Sequence, residues 1–441
     1  MTNNNWELVK LGDILNFKTG RLDSNAATLN GEYPFFTCSP ETLSINSYAF
    51  DDEAVLLAGN NANGVFSVKY YIGKFNAYQR TYVITSKDRN LVSIRWLYFR
   101  IKHVTAELQK MSVGTATKFL TKKILDNFEI RLPTLIEQES IANILWSLQS
   151  QIDINIQINQ TLESIAQAIF KSWFIDFDPV RAKIAAKQNG ADPELAAMCV
   201  ISGKSEAELK QMPEDDFAEL QATAALFPDE LVESELGEVP NGWFKTDLSI
   251  LADLNVQSWT KKNCPEKVTY VDLSNTKWGV IQQTEEFIFE KAPSRARRVL
   301  KIGDTIVGTV RPANGSYAFI QRENLTGSTG FAVLSPKHKN YAEFIYIVAT
   351  DKENIKRLAH LADGGAYPAV SYDTVLNTPC ILPIENKDGV LNLFHKNVKE
   401  FYLLSASKFE ENNILASIRD TLLPKLLSGE LDVSCVQDEV A

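Results

Sequence analysis

Apolar side chains recur at alternating three- and four-residue steps over two long stretches of the chain. The first stretch carries Ile141, Leu145, Leu148, Ile152, Asn155, Asn159, Leu162, Ala166, Ile169 and Trp173. That spacing is the seam of a helix paired with another helix. It makes residues 136–174 one helix, about 58 Å long at ~1.5 Å per residue. Asp178-Pro179 closes it, because the residue before a proline disfavours the helical region. The second stretch, 386–428, carries Leu391, Phe394, Val398, Phe401, Ser405, Lys408, Asn412, Leu415, Arg419, Leu422 and Leu426. Pro424 is expected to kink or stop that helix near its end. Both seams are apolar at their ends and polar in the middle. Asn155, Asn159, Ser405, Lys408 and Asn412 either lie in a solvated stretch or pair to fix the register.

The remaining patterns alternate between strand-like runs (82–84, 303–307) and helical ones (94–110, 341–361), which indicates mixed α/β domains. The chain also repeats itself. At an offset of 250, Val55-Leu56-Leu57 falls on Thr305-Ile306-Val307, Val83-Ile84 on Val333-Leu334, Gly114 on Gly364 and Pro133 on Pro383. Asn63-Gly64 falls within one residue of Asn314-Gly315, and Trp6 answers to Trp243. In the helices the offset is 253: Asn159, Leu162, Ser164 and Ile165 meet Asn412, Leu415, Ser417 and Ile418. One supersecondary unit is therefore written twice. The expected order is a globular domain (1–135), a long helix (136–175), a connector (176–240), a second domain (241–385), a second helix (386–428) and a tail (429–441). The fold class is α+β: two similar mixed α/β domains separated by a pair of long helices, packed antiparallel as a coiled coil. A rigid spacer between two similar heads acts as a ruler: paired DNA-reading heads match half-sites spaced along one face of the duplex, and two heads on a protein or glycan polymer need the same layout, so geometry alone does not settle the ligand.

Charge sharpens this layout. The net charge of −10 opposes DNA binding at first sight. Residues 176–240 alone carry 5 basic and 15 acidic side chains, whereas 1–135 carry 16 and 12, and 241–385 carry 17 and 15. The acidity sits in the connector and both domains are mildly basic, which permits a DNA-facing surface on each. Within the connector, Asp192 is expected to cap a short helix begun by Pro193, among further short helices and turns on the surface. No apolar run is long enough for a membrane span, and the N-terminus has no secretory pattern. The five scattered cysteines suggest neither zinc site nor disulfide framework and fit a reducing cytoplasm.

Polar loops on a rigid scaffold usually hold recognition residues. The first domain offers Lys18, Arg21, Asn61, Asn63, Tyr78, Gln79, Arg80, Thr115, Thr117 and Lys118. The second offers Ser258, Lys261, Lys262, Arg295, Arg297, Arg298, Arg311, Asn314, Ser328, Thr329 and Tyr367. Arg and Lys suit guanine or phosphate, Asn and Gln suit adenine, and hydroxyls suit phosphate. The bland alternatives are turn dipeptides at Asn63-Gly64 and Asn314-Gly315, a solvated patch at 295–298, and core packing for Trp6, Trp173 and Trp243. Catalytic signals are weak. Gly203-Lys204-Ser205 lacks the earlier glycine of a phosphate loop, and Asn377-Thr378-Pro379-Cys380 is a poor match to an amino-methyltransferase tetrapeptide. The four histidines are isolated, and neither a catalytic residue nor a metal site is assigned.

The edges of the helices carry a resemblance. Leu422-Leu423-Pro424-Lys425-Leu426-Leu427-Ser428-Gly429-Glu430-Leu431 closes the second helix. Phe170-Lys171-Ser172-Trp173-Phe174-Ile175-Asp176-Phe177 closes the first, followed by Asp178-Pro179-Val180-Arg181-Ala182-Lys183. Leu236-Gly237-Glu238-Val239-Pro240-Asn241-Gly242-Trp243 opens the second domain. With the duplicated layout, these resemble the specificity subunit of type I restriction-modification enzymes. The stretches 73–82, 294–298 and 309–312 look like segments common in that family. Lys171 stands where the second helix has Pro424, so the two helix ends need not dock identically. The resemblance implies two target-recognition domains, each reading one half of a bipartite site in double-stranded DNA. It implies helices that dock two modification (methyltransferase) subunits, with restriction (translocase/nuclease) subunits joining that core. The chain itself would be non-catalytic and cytoplasmic, without cofactor. S-adenosylmethionine, ATP and Mg would belong to the partners. The competing readings are a self-sufficient restriction or modification enzyme and a structural bridge with two protein-binding heads.

Overall fold

The computed structural model describes residues 6–61, 66–115, 117–234, 237–365 and 367–433. It forms two compact units, one from residues up to Ile156 together with those from Phe409 onward, the other from Gln157–Lys408. Both long helices are present, as Leu135–Phe174 and Lys387–Ser428, and each gives one half to each unit. The first begins at a reciprocal cap: Glu137 Oε2 accepts from the Thr134 N–H and hydroxyl, both at 2.8 Å. The second does not stop at Pro424 but continues to Ser428. The hydrogen bond lost at a proline is offset here because Leu426 and Leu427 are buried in the first unit, which they reach only if the last turn remains helical.

The first unit is built on a six-stranded sheet. Its strands lie in the order Leu15–Thr19, Thr81–Ser86, Phe50–Ala58, Val68–Ala77, Tyr33–Phe36 and Leu43–Ile45. Both faces are covered, so 54–58 reads as an unbroken apolar run rather than as alternation. Val55, Leu57 and Ile84 pack with Trp96, Leu97 and Phe99 of the helix Ile94–Met111. Ala54, Leu56 and Val83 pack with Phe36 and Phe75.

The second unit repeats this frame in register. Its strands Ala252–Leu254, Phe331–Pro336, Thr305–Gly308 and Tyr317–Phe319 form one sheet in that order. Leu56 opposes Val83 as Ile306 opposes Val333, and Glu7 opposes Leu132 as Phe244 opposes Leu382. Two differences stand out. The long strand Val68–Ala77 corresponds to two strands, Tyr317–Phe319 and Leu325–Ser328, interrupted where Asn324 turns to φ 63°. The sheet therefore divides, and the second part orders as Glu285–Ile288, Lys267–Val271, Leu325–Ser328 and Ala296–Val299. In addition, the helical stretch expected over 341–361 is two helices, Ala342–Thr350 and Lys352–Leu361. Asp351 is extended at the break, and its carboxylate accepts from the N–H groups of Glu353 and Asn354 to cap the second helix.

The acidic connector folds into the helices Asp178–Gln188, Pro193–Ser202, Glu206–Leu209 and Glu214–Ala224. Asp192 caps the helix that starts at Pro193. Gly203 ends that helix at φ 68°, and Ser205 opens the next with a capping box. Gly203-Lys204-Ser205 is thus punctuation between two helices. The short helices are present as expected, but they are not merely a surface layer, because Ala197, Met198, Leu209 and Ala224 form a small core of their own.

Candidate DNA interface

In the first unit the loops around 20–23, 59–61, 78–80 and 113–119 are tied together by backbone. Leu22 bridges Tyr78, and its carbonyl accepts from Gln79 N–H at 2.9 Å. Gly20 lies so close that a Cβ there would stand 1.6 Å from the Ala77 carbonyl oxygen. Gly59 N–H donates to Arg80 O at 2.7 Å, and Asn60 and Asn61 pair with Phe119 and Lys118. The Arg80 guanidinium lies 5.6 Å over the Phe119 ring. Lys18, Arg21, Gln79, Arg80 and Thr115 are exposed, whereas Asn61, Tyr78, Thr117 and Lys118 are half-buried. Asn63 lies outside the described residues.

The second unit gathers its candidates in the same way. Ser258 bridges Arg298, whose Nη1 donates to Ser258 Oγ at 3.2 Å. Arg295 O accepts from Thr329 N–H at 2.8 Å, and Thr309 N–H donates to Gly330 O at 2.9 Å. Arg311 N–H donates to Pro368 O at 2.7 Å, and its guanidinium lies 4.7 Å over the Tyr367 ring. Arg297 lies 4.7 Å over Phe289 and Arg298 5.1 Å over Tyr372. Lys261 and Lys262 are exposed in a turn closed by Thr260 and Asn263. Asn314 is exposed on the loop after Arg311, and Thr329 is half-buried. Ser328 departs from the exposed loop position expected of it. It is fully buried in the strand Leu325–Ser328, and its hydroxyl accepts from the Gly330 N–H, so it braces the loop instead of facing solvent.

These two surfaces are structurally equivalent. Leu120 N–H reaches Gly59 O as Val370 N–H reaches Thr309 O. Val113 and Phe119 exchange two backbone bonds, as do Asp363 and Ala369. Gly114 at φ 106° matches Gly364 at φ 112°, the conformation that favours glycine. Asn61 therefore answers to Arg311, Gln79 to Thr329, and Thr117 to Tyr367. Sequence reasoning passed over Tyr372, whose hydroxyl donates to Thr329 O at 2.6 Å while its ring supports Arg298. It also passed over the turn Trp278-Gly279, for which the dipeptide between two short β-prone runs was the available signal.

The helix seams pair within each unit. In the first, Ile141, Leu145, Ile152 and Asn155 are buried, and Leu148, Leu415 and Leu422 are half-buried. Asn155 Nδ2 donates to Asn412 Oδ1 at 2.9 Å, and Arg419 Nη1 donates to Gln149 Oε1 at 2.7 Å. The partner numbers run in opposite directions, so the helices are antiparallel. In the second unit Phe394 and Val398 are fully buried, with Leu162, Ile169 and Phe401 half-buried, and Asn159 Nδ2 donates to Ser405 O at 3.3 Å. Glu163 lies beside Tyr402 there. Burial pushes its carboxyl up from the usual range, opposed by Gln167 and Tyr402.

The segment after the first helix is a clamp. Phe177 turns the chain at φ 55°. Arg181 Nε donates to Asp176 O at 3.0 Å, and its Nη1 and Nη2 each lie 3.2 Å from Glu238 Oε2. Lys183 is buried, with Nζ donating to Glu194 Oε1 at 2.7 Å and Phe227 O at 2.8 Å. Phe170, Trp173, Phe174 and Phe177 enter the core beside Trp243 and Phe394.

Comparison with known proteins places this architecture. Residues 3–164 match the family model described as the type I restriction modification DNA specificity domain. The chain is 31% identical over 374 residues to the type I restriction enzyme HindI specificity subunit of Haemophilus influenzae, covering 79% of this chain and 80% of the relative. The chain belongs to the family of type I restriction enzyme specificity subunits. A second specificity subunit, that of EcoDI from Escherichia coli, is 40% identical over 168 residues, 37% of this chain and 36% of the relative. Among solved structures, the specificity subunit of a type I restriction-modification system from M. genitalium covers 97% of both chains with a TM-score of 0.57. At 14% identity it shows the shared fold alone. Among the described residues, no helix of this specificity subunit is long and apolar enough to cross a membrane.

Proposed function

We propose that each unit of this specificity subunit reads one half of a bipartite site in double-stranded DNA. One observation carries the reading. The two units offer the same backbone frame at the same register, with different side chains on it: Asn61 where the other has Arg311, and Gln79 where the other has Thr329. A shared scaffold with exchanged donors and acceptors is what two unlike half-sites require, since side-chain chemistry selects base edges while backbone and hydroxyl groups position phosphates.

The helix pair is the docking surface for two modification subunits. Ile154, Ile156, Ile414 and Ile418 in the first unit, and Ile165, Leu403 and Leu404 in the second, are exposed apolar side chains on these helices. Adenine methylation and ATP-dependent cleavage belong to the modification and restriction subunits, which carry S-adenosylmethionine, ATP and Mg. This chain works in the cytoplasm and supplies recognition alone.

Co-expression with its modification subunit followed by methylation mapping tests this. The expected mark is a split motif, and replacing residues 1–135 with those of another specificity subunit changes one half of it. A single continuous motif refutes the two-reader assignment. The isolated chain is expected to bind DNA with a steep salt dependence and to transfer no methyl group.

A further inference from the structure

Among the described residues, the second unit carries a hairpin with no counterpart in the first. Residues 272–284 stand where the first unit has only 37–42, between equivalent strands. Thr276–Lys277 pairs with Val280–Ile281, and Trp278 and Gly279 form the tip at φ 47° and φ 87°. A positive φ is rare and strained for a residue as bulky as tryptophan, so the surroundings must hold it. They do. Trp278 N–H donates to Gly315 O at 2.7 Å, and Gly279 N–H donates to Tyr317 O at 3.0 Å. Lys277 Nζ donates to Asn314 O at 3.4 Å.

Trp278 is 58% exposed, yet its indole lies directly on Gly315, where an added Cβ would stand 2.5 Å from the ring. Its target is the loop that presents Arg311 and Asn314. That loop is itself strained at Arg311, which sits at φ 48°, while Gly315 supplies the φ of 64° that follows without strain. The indole also meets the Tyr317 ring edge-on at 6.0 Å. Here it pins, from the outside, the loop of the second unit whose Arg311 answers to Asn61 of the first.

We propose that Trp278 is a positioning residue for recognition by the second unit. Its indole and backbone hold the 311–315 loop in the conformation that presents Arg311 and Asn314 to one half-site. This rests on the DNA-reading function proposed above.

The test is methylation mapping of the full chain co-expressed with its modification subunit. Wild type is the control, and the absence of a split motif there counts against DNA reading itself, whatever Trp278 does. Given a split motif, Trp278→Ala is expected to raise methylation of near-cognate sites about tenfold at positions in one half only. Trp278→Phe is expected to restore discrimination. Gly315→Ala keeps the indole but displaces it, and is expected to relax the same positions. Lys277→Ala cuts only the tie to Asn314 and guards against misfolding of the alanine variant at 278, with a smaller loss in the same half. An unchanged motif in Trp278→Ala overturns the proposal, as does equal loosening of both halves. Relaxation by Trp278→Ala without relaxation by Gly315→Ala also overturns it, because the indole would then act by direct contact.

Discussion

Asn155 donates its side-chain amide to the side-chain carbonyl of Asn412 at 2.9 Å, in a seam where Asn155 is fully buried. Gln151 Nε2 donates to Asn155 Oδ1 at 3.1 Å, and Asn412 Nδ2 donates back to Ile152 O at 3.3 Å. Sliding either helix by one turn would break all the interhelical bonds at once and bury unpaired amides. The pair therefore selects one register, as a buried Asn does in a coiled coil. Asn155→Ala is expected to destabilise the full chain by about 1–3 kcal/mol, since Asn412 is left without its donor. Asn155→Leu with Asn412→Leu is expected to recover most of that loss. Thermal unfolding of Asn155→Leu, Asn412→Leu and the double variant gives the coupling, and additive effects would mean that the pair does not act as a unit.

The two seams were legible from spacing alone, because helix periodicity is a local property. Whether their polar middle is wet or paired was not, since that depends on which residue faces which. Asn155 and Asn412 settle it for the first unit: they are partners. The repeat was legible for a similar reason, because the apolar residues of paired strands such as Leu56 and Val83 must recur wherever the same sheet recurs. What the pattern hid is the second unit's extra strand. Ser294-Arg295-Ala296-Arg297-Arg298 reads as a polar loop, yet Ala296–Val299 pairs with Leu325–Ser328. Its burial rests on Ala296 and on the adjoining Leu300, which packs on Gly327, where a Cβ would stand 3.2 Å from the leucine side chain. Ser328 was misplaced by the same blindness, because a small residue serves a buried close approach as well as an exposed loop.

Arg311 and Asn61 occupy equivalent places in the two units, which separates their expected effects. Arg311→Ala is expected to weaken cognate DNA binding by about 1–3 kcal/mol and to relax one half of the methylated motif. Asn61→Ala is expected to relax the other half. Relaxation of the same half by both variants would sever the link between unit and half-site.

Lys183 and Arg181 test the clamp against its own surface. Lys183 is buried with two acceptors, whereas Arg181 and Glu238 are each about half exposed, at 50% and 52%. Lys183→Met is expected to cost about 1–3 kcal/mol by leaving the Phe227 carbonyl unpaired. Arg181→Ala is expected to cost less than about 1 kcal/mol, and added salt should shrink that difference further. Equal losses in chemical denaturation would show that burial does not set the rank.

Glu163 gives the pH prediction, and its sign follows from burial. The carboxyl is pushed up in the folded state because its charge would be desolvated beside Tyr402, and Gln167 and the Tyr402 hydroxyl only partly oppose this. The folded chain thus holds this proton more tightly than the unfolded chain does. The resulting stability is present below the ordinary carboxylate range and is lost as pH rises from that range through the raised folded value. Glu163→Gln mimics the protonated form at every pH, so it is expected to be more stable than wild type at neutral pH and nearly equal at acidic pH. The neighbouring contact of His395 Nδ1 with Glu343 Oε2, at 2.6 Å, is the same in both proteins. Subtracting the two unfolding profiles between pH 4 and 8 therefore isolates Glu163. A difference that is flat across that window would show that the carboxylate is solvated in the folded chain and that the seam of the second unit tolerates its charge.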